Sequence, residues 1–231
     1  MRQLLCSARL VLKSAISTRA PLWTERLPAQ VIITTDIFGR TDHLDVFAVL
    51  LARNGTPSTV VDPYEGVRRC FTEEAQAYEA FLEAGGHDRY ASRLRSTMDT
   101  LAGPLVLVGF SAGATAAWIC ALDRQAGKVM HLVGFYPGRI RYHLNQIPPC
   151  PTTLIFPCRE DHFNVDSVIR IVSQHEQVTC IKTKLFHGFM NPLSRNHNAA
   201  AASEYTATIA MPGLLDDHEG LRRRLKLKAE A

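Results

Sequence analysis

The 231-residue chain has no C-x-x-C pair and no other cysteine spacing that would hold a metal, although it contains six cysteines (Cys6, Cys70, Cys120, Cys150, Cys158 and Cys180). Sequence therefore gives no ground for a metal centre, and a chain of this length does not need a disulfide framework to fold. Cys120 and Cys180 lie in apolar surroundings. The cysteines read as small buried hydrophobes in a reducing compartment, which implies a cytoplasmic protein. No stretch approaches the ~20 continuous apolar residues of a membrane span. No segment repeats and none is of low complexity, so a solenoid or a disordered linker is not expected. Neither basic end is interleaved with aromatics, so no nucleic-acid partner is expected.

What is present fits one soluble domain: 46% of residues are apolar, 21% are charged and the net charge is +4. Part of that charge is local. Arg222, Arg223, Arg224, Lys226 and Lys228 crowd the C-terminus, and residues 214–231 read as a basic, solvated tail. Residues 1–28 read as an N-terminal extension. Arg2, Arg9, Lys13 and Arg19 occur there with no acidic residue before Glu25, a composition shared by organellar presequences and by short amphipathic helices. Residues 29–213 are left as the folded unit.

Within it, strand and helix patterns alternate. Gln30–Thr34, Ser58–Val61, Pro104–Val108, Met130–Tyr136, Thr152–Phe156 and Val178–Leu185 are short apolar or β-branched runs of buried-strand type. Helical stretches fall between them, at 44–53, after Thr72, at 90–101, 114–122 and 165–175, with a last one at 198–210. Repeated β-α-β order predicts an α/β fold: a mostly parallel sheet with helices on both faces.

The strand Pro104–Val108 runs into Gly109-Phe110-Ser111-Ala112-Gly113, which opens an alanine-rich helix. G-x-S-x-G at such a turn describes a nucleophile elbow, with the serine oxygen exposed at a strained corner. Its two glycines stand where strand and helix approach too closely for side chains. Functional groups of a parallel sheet gather at the carboxyl ends of its strands. Two later loops there carry Arg159-Glu160-Asp161-His162 and Phe186-His187-Gly188. The chain order serine, acid, histidine is that of α/β-hydrolases, in which imidazole takes the serine proton and a carboxylate fixes the imidazole. His187 follows a strand late in the chain and takes the base role; His162 is a rival within the acid loop. His43, His87, His175 and His218 read as ordinary surface histidines. Glu160 and Asp161 are adjacent, and only one can face the histidine. Arg139, just beyond another strand, could contact an anionic substrate or simply be a surface arginine.

These segments resemble those of the dienelactone hydrolases. Asp36-Ile37-Phe38-Gly39 is similar to that family's Glu-Ile-Phe-Gly segment, Gly109–Gly113 to its elbow, Asp161-His162-Phe163 to its acid motif and His187-Gly188-Phe189 to its His-Ser-Phe motif, over about residues 30–210. The resemblance implies an α/β-hydrolase fold and a Ser111–Asp161–His187 triad. It also implies an oxyanion hole from the backbone N–H groups of Ile37 and Ala112, with no cofactor. Its best-known members use a cysteine nucleophile, tuned by the glutamate that Asp36 replaces. They hold a substrate carboxylate with two arginines, one at the position of Asn191 here and the other near Glu74. The expected activity is hydrolysis of a small-molecule carboxylic ester or lactone through an acyl-enzyme, with Asp36 as an auxiliary group. A thioesterase or peptidase on the same fold, and a non-catalytic hydrolase-fold binding protein, are the alternatives. The sequence carries no signal for oligomeric state.

Overall fold

The computed structural model describes residues 28–123 and 127–230. The expected N-terminal extension, apart from Pro28, lies outside the described residues, as do 124–126 and 231.

Six strands form one sheet: β1 (Gln30–Thr34), β2 (Ser58–Val61), β3 (Leu105–Phe110), β4 (Val129–Phe135), β5 (Thr152–Phe156) and β6 (Val178–Lys182). Their order is β2-β1-β3-β4-β5-β6, and every neighbouring pair is parallel. All six strands therefore agree with the parallel sheet expected from the alternating pattern. The order reverses direction at β1 and β3, whose register pairs Thr34 with Gly109. A parallel sheet opens a crevice at that switch point, beyond the carboxyl ends of the two strands. The Asp36 segment and the Ser111 turn are the loops that leave those two ends.

Alternation along the strands makes two cores, because successive side chains point to opposite faces. Ile32, Leu105, Leu107, Leu132 and Leu154 point to one face. There they meet α3 (Gly86–Thr100), α4 (Ala112–Ala121) and α5 (Val165–Val172), through Leu94, Trp118 and Val168 among others. Val31, Ile33, Val106, Val108 and Val133 point to the other face. They pack against α1 (Asp42–Arg53), α6 (Ala199–Ile209) and α7 (His218–Glu230), through Phe47, Tyr205 and Leu221. The remaining helix, α2 (Glu74–Glu83), adds Phe81 to the first core.

Helix α4 is buried all round except at Ile119, as an alanine-rich helix without a polar face must be. Small residues let it lie close to the sheet. A Cβ on Gly113 would drive into the carbonyl oxygens of Thr34 and Thr35, and one on Gly109 would sit 2.6 Å from the Ala114 Cα. Close approach of backbones is thus what both glycines of the elbow serve.

The segment expected as a solvated tail is not one over its described residues, 214–230. Leu214 and Leu215 are buried, and Leu221 and Leu225 of α7 are fully so. The run of arginines and lysines conceals an apolar pair at i and i+4, which is one face of a helix. The basic residues Arg223, Arg224, Lys226 and Lys228 occupy the exposed side. Smaller differences concern boundaries. The last strand stops at Lys182 rather than Leu185, and the helix expected from Tyr90 begins at Gly86.

Candidate active site

Ser111 sits between β3 and α4 with φ 49° and ψ −110°, a conformation that L side chains rarely adopt. Such strain persists only where the surroundings impose it. Here its N–H is held by the Phe135 carbonyl at 3.0 Å, while α4 is pinned to the sheet by the close approach at Gly113. The hydroxyl is thereby presented above the crevice. Ser111 Oγ lies 2.9 Å from His187 Nε2.

His187 follows β6 on a loop held at several points. Asn196 Nδ2 donates to the His187 carbonyl at 2.9 Å. Gly188 supplies the left-handed turn, φ 83°. The neighbouring loop is tied to it, since the Cys158 N–H donates to the Leu185 carbonyl at 2.7 Å. The Tyr136 ring stands 4.8 Å from the imidazole, at 51°. Tyr136 is itself a buried residue at φ 39°, and it is fixed by Phe110, Phe135 and Phe189.

The acid is where expectation and structure part. His187 Nδ1 meets Glu160 Oε1 at 2.7 Å, and the Glu160 side chain is only 10% exposed. Asp161, the acid that the resemblance implies, is exposed and makes no hydrogen bond or ion pair among the described residues. The physical reason is the path of the loop. Cys158 is fixed beside Leu185, and beyond that anchor the Glu160 side chain meets the histidine while that of Asp161 stays exposed. Residue 160 then falls toward the histidine, and glutamate's extra methylene spans the gap.

Asp36 does not contact Ser111 through a hydrogen bond. Its Oδ1 accepts from the Phe38 N–H at 3.0 Å and its Oδ2 from Asn191 Nδ2 at 2.7 Å. Asn191 thus clamps Asp36, the two positions at which the resemblance implies an arginine and a glutamate. Burial pushes the Asp36 carboxyl up to about 6, against the lowering effect of those two donors and of nearby His187. A carboxyl near 3.8 in the unfolded chain and near 6 in the native one makes stability fall as pH rises through that window, by about 3 kcal/mol in all. Below it both states hold the proton; above it both have lost it and the full cost is present. Asp36→Asn should remove that slope. Stability of the variant relative to wild type, read from urea midpoints, should improve by up to about 3 kcal/mol between pH 4 and pH 7. A difference independent of pH would show that Asp36 is not the titrating group.

The Ile37 and Ala112 N–H groups flank the crevice from the β1 and β3 loops. Among the described residues neither donates a hydrogen bond within the protein. Beside them opens a cleft of about 1100 Å³ reaching from Ser111 and His187 to α2 and the short 3-10 helix Gly138–Tyr142. Arg139 lines it, and so do His87, Arg141 and Arg195. His87 is not an ordinary surface histidine: its Nδ1 is buried without a partner. No group of three or more histidine, cysteine or acidic side chains is placed to hold a metal ion among the described residues, and none of the described helices is long and apolar enough to cross a membrane.

The chain is 31% identical over 182 residues to the uncharacterized protein YczH of Bacillus subtilis (strain 168), a match covering 74% of this chain and 85% of that one. The chain belongs to the YczH family. No family model matches it. The solved structures that resemble it place this member of the YczH family in the α/β-hydrolase fold of dienelactone hydrolase-like proteins. The dienelactone hydrolase-like promiscuous phosphotriesterase P91 from metagenomic libraries superposes with a TM-score of 0.59 at 14% identity, over 84% of this chain and 86% of that one. Alpha/beta hydrolase domain-containing protein 10 from mouse gives 0.56 at 14% identity, over 83% and 91%. A cold-adapted esterase from an Arctic intertidal metagenomic library gives 0.55 at 13% identity, over 86% and 83%.

Proposed function

We propose that this YczH-family chain is a serine hydrolase that cleaves a carboxylic ester or lactone through an acyl-enzyme. The observation that carries the reading is the unbroken hydrogen-bonded line from Ser111 Oγ to His187 Nε2 at 2.9 Å and from His187 Nδ1 to Glu160 Oε1 at 2.7 Å. A serine hydroxyl attacks only when a base removes its proton, and an imidazole serves as that base when its far nitrogen is held by a carboxylate. Glu160 keeps the proton on Nδ1, so the Nε2 lone pair faces Ser111. Attack on the carbonyl carbon places negative charge on its oxygen, between the free N–H groups of Ile37 and Ala112. His187 then passes the proton to the leaving alcohol, and water, deprotonated by the same imidazole, releases the acid. The strained serine backbone and the short contacts hold the reacting groups in line, and electrostatic catalysis rests on such preorganisation.

A fluorophosphonate probe tests this directly. It should label the wild-type protein once, at Ser111, with labelling lost in His187→Ala. Protein that stays unlabelled while folded would favour a non-catalytic binding role for the cleft. Comparing p-nitrophenyl esters, acyl thioesters and aminoacyl amides then assigns the leaving group.

A further inference from the structure

The triad leaves the cationic character of the cleft unexplained. Arg139, Arg141, Arg159 and Arg195 all line it, and none forms an ion pair among the described residues, although arginines elsewhere in the chain do. Of the three acids on its wall, Glu160 is engaged by His187, which leaves Glu74 and Asp161 to offset four guanidinium groups.

The arrangement is most developed on the 3-10 helix. Arg141 lies over Tyr142 at 4.4 Å and over Phe163 at 4.9 Å. Its Nη1 donates to the Gly138 carbonyl at 2.6 Å and its Nη2 to the Tyr142 hydroxyl at 3.0 Å. A guanidinium has five N–H donors, so three remain for a ligand on a side chain already held in place. Arg139 stacks on the same Tyr142 ring at 5.1 Å. Two positive charges therefore share one aromatic ring, and each raises the cost of the other. His87 adjoins them. Its buried Nδ1 lacks a partner, and burial, then the Arg139 charge, lowers its pKa to about 4. A single carboxylate would balance one of the two guanidinium groups. A phosphate monoester, with a charge of about −1.5 to −2 at pH 7 and three acceptor oxygens, balances both.

We propose that Arg139, Arg141 and His87 form a phosphoryl-binding subsite in the cleft beside Ser111, so that the ester cleaved carries a phosphate group away from the reacting carbonyl. The subsite deepens the hydrolase reading and rests on it for the identity of the substrate, but not for binding itself. Its three residues are also not the positions at which the resemblance implies the dienelactone hydrolase arginines, which here are Asn191 and the neighbourhood of Glu74.

Binding to the Ser111→Ala protein separates the two claims. Inorganic phosphate and acetate are titrated calorimetrically at pH 7.5 and constant ionic strength. Phosphate should bind at least tenfold more tightly than acetate. Arg139→Gln, an exposed position that should not disturb folding, and Arg141→Gln should each weaken phosphate binding tenfold or more. Arg223→Gln, on the exposed side of α7, should leave it unchanged. Equal affinity for the two anions, or equal weakening by all three substitutions, overturns the subsite. Phosphate binding to Ser111→Ala, with a wild-type protein that fluorophosphonate does not label, would keep the subsite and remove the hydrolase; labelling of the wild type without selective phosphate binding would do the reverse.

Discussion

Replacing Ser111 by alanine is expected to lower the turnover of p-nitrophenyl esters by about 10⁶-fold, the loss seen when a serine hydrolase is deprived of its nucleophile. A residual rate some 10³- to 10⁴-fold above the uncatalysed reaction should remain, supplied by the oxyanion donors and substrate binding. The size of the effect follows from the chemistry. Without Oγ there is no acyl-enzyme, and His187 can only activate a water that the site does not position. Folding should barely change. The lost hydrogen bond to His187 is worth about 1 kcal/mol, and its partner is 29% exposed and can turn to water. Steady-state kinetics together with a thermal melt checks both halves. A loss below about 100-fold, within the range of a single positioning group, would mean that Ser111 is not the nucleophile.

Much of this fold and site was legible in the sequence, and the parts that were not have physical reasons. The six strands were readable because a parallel sheet covered on both faces demands continuous apolar runs, and Val31-Ile32-Ile33 and Leu105-Val106-Leu107-Val108 supply them. The elbow was readable because it depends on local geometry: only glycine fits at 109 and 113, and only a strand-turn-helix context strains residue 111. The histidine was readable from its place after the last strand. The acid was not. Glu160 and Asp161 differ by one position, and the choice depends on where the loop is anchored, which the Cys158–Leu185 hydrogen bond decides across 27 residues. The resemblance favoured Asp161, whereas Glu160 is the one whose side chain reaches His187, since pattern carries residue type but not reach. Helix α7 was missed for another reason. Composition counts charges, whereas Leu221 and Leu225 mark the helix by spacing, and testing the basic segment for a period of 3.6 would have exposed it. His87 and Arg141 could not have been placed. They reach the cleft from α3 and the 3-10 helix, and no local pattern announces that meeting.

The acid assignment carries the other large prediction. Glu160→Gln should lower kcat by about 10⁴-fold, whereas Asp161→Asn should change it by less than about threefold. Both substitutions remove one negative charge from neighbouring positions, so a general field effect would weigh on them alike. What differs is the contact. Glu160 accepts the Nδ1 proton at 2.7 Å from a largely buried position. A glutamine amide can turn its NH₂ to that nitrogen, which pushes the proton to Nε2 and takes away the lone pair that Ser111 needs. The carboxylate also stabilises the imidazolium that forms in the transition state, and a neutral amide does not. Asp161 lines the mouth of the cleft in water, where the loss of a charge is screened. Kinetics of the two variants on one ester, with melting curves to establish that each is folded, separates the cases. A large loss in Asp161→Asn with Glu160→Gln intact would mean that the loop exchanges its two acids when substrate binds, and that the sequence motif rather than the resting geometry names the working group.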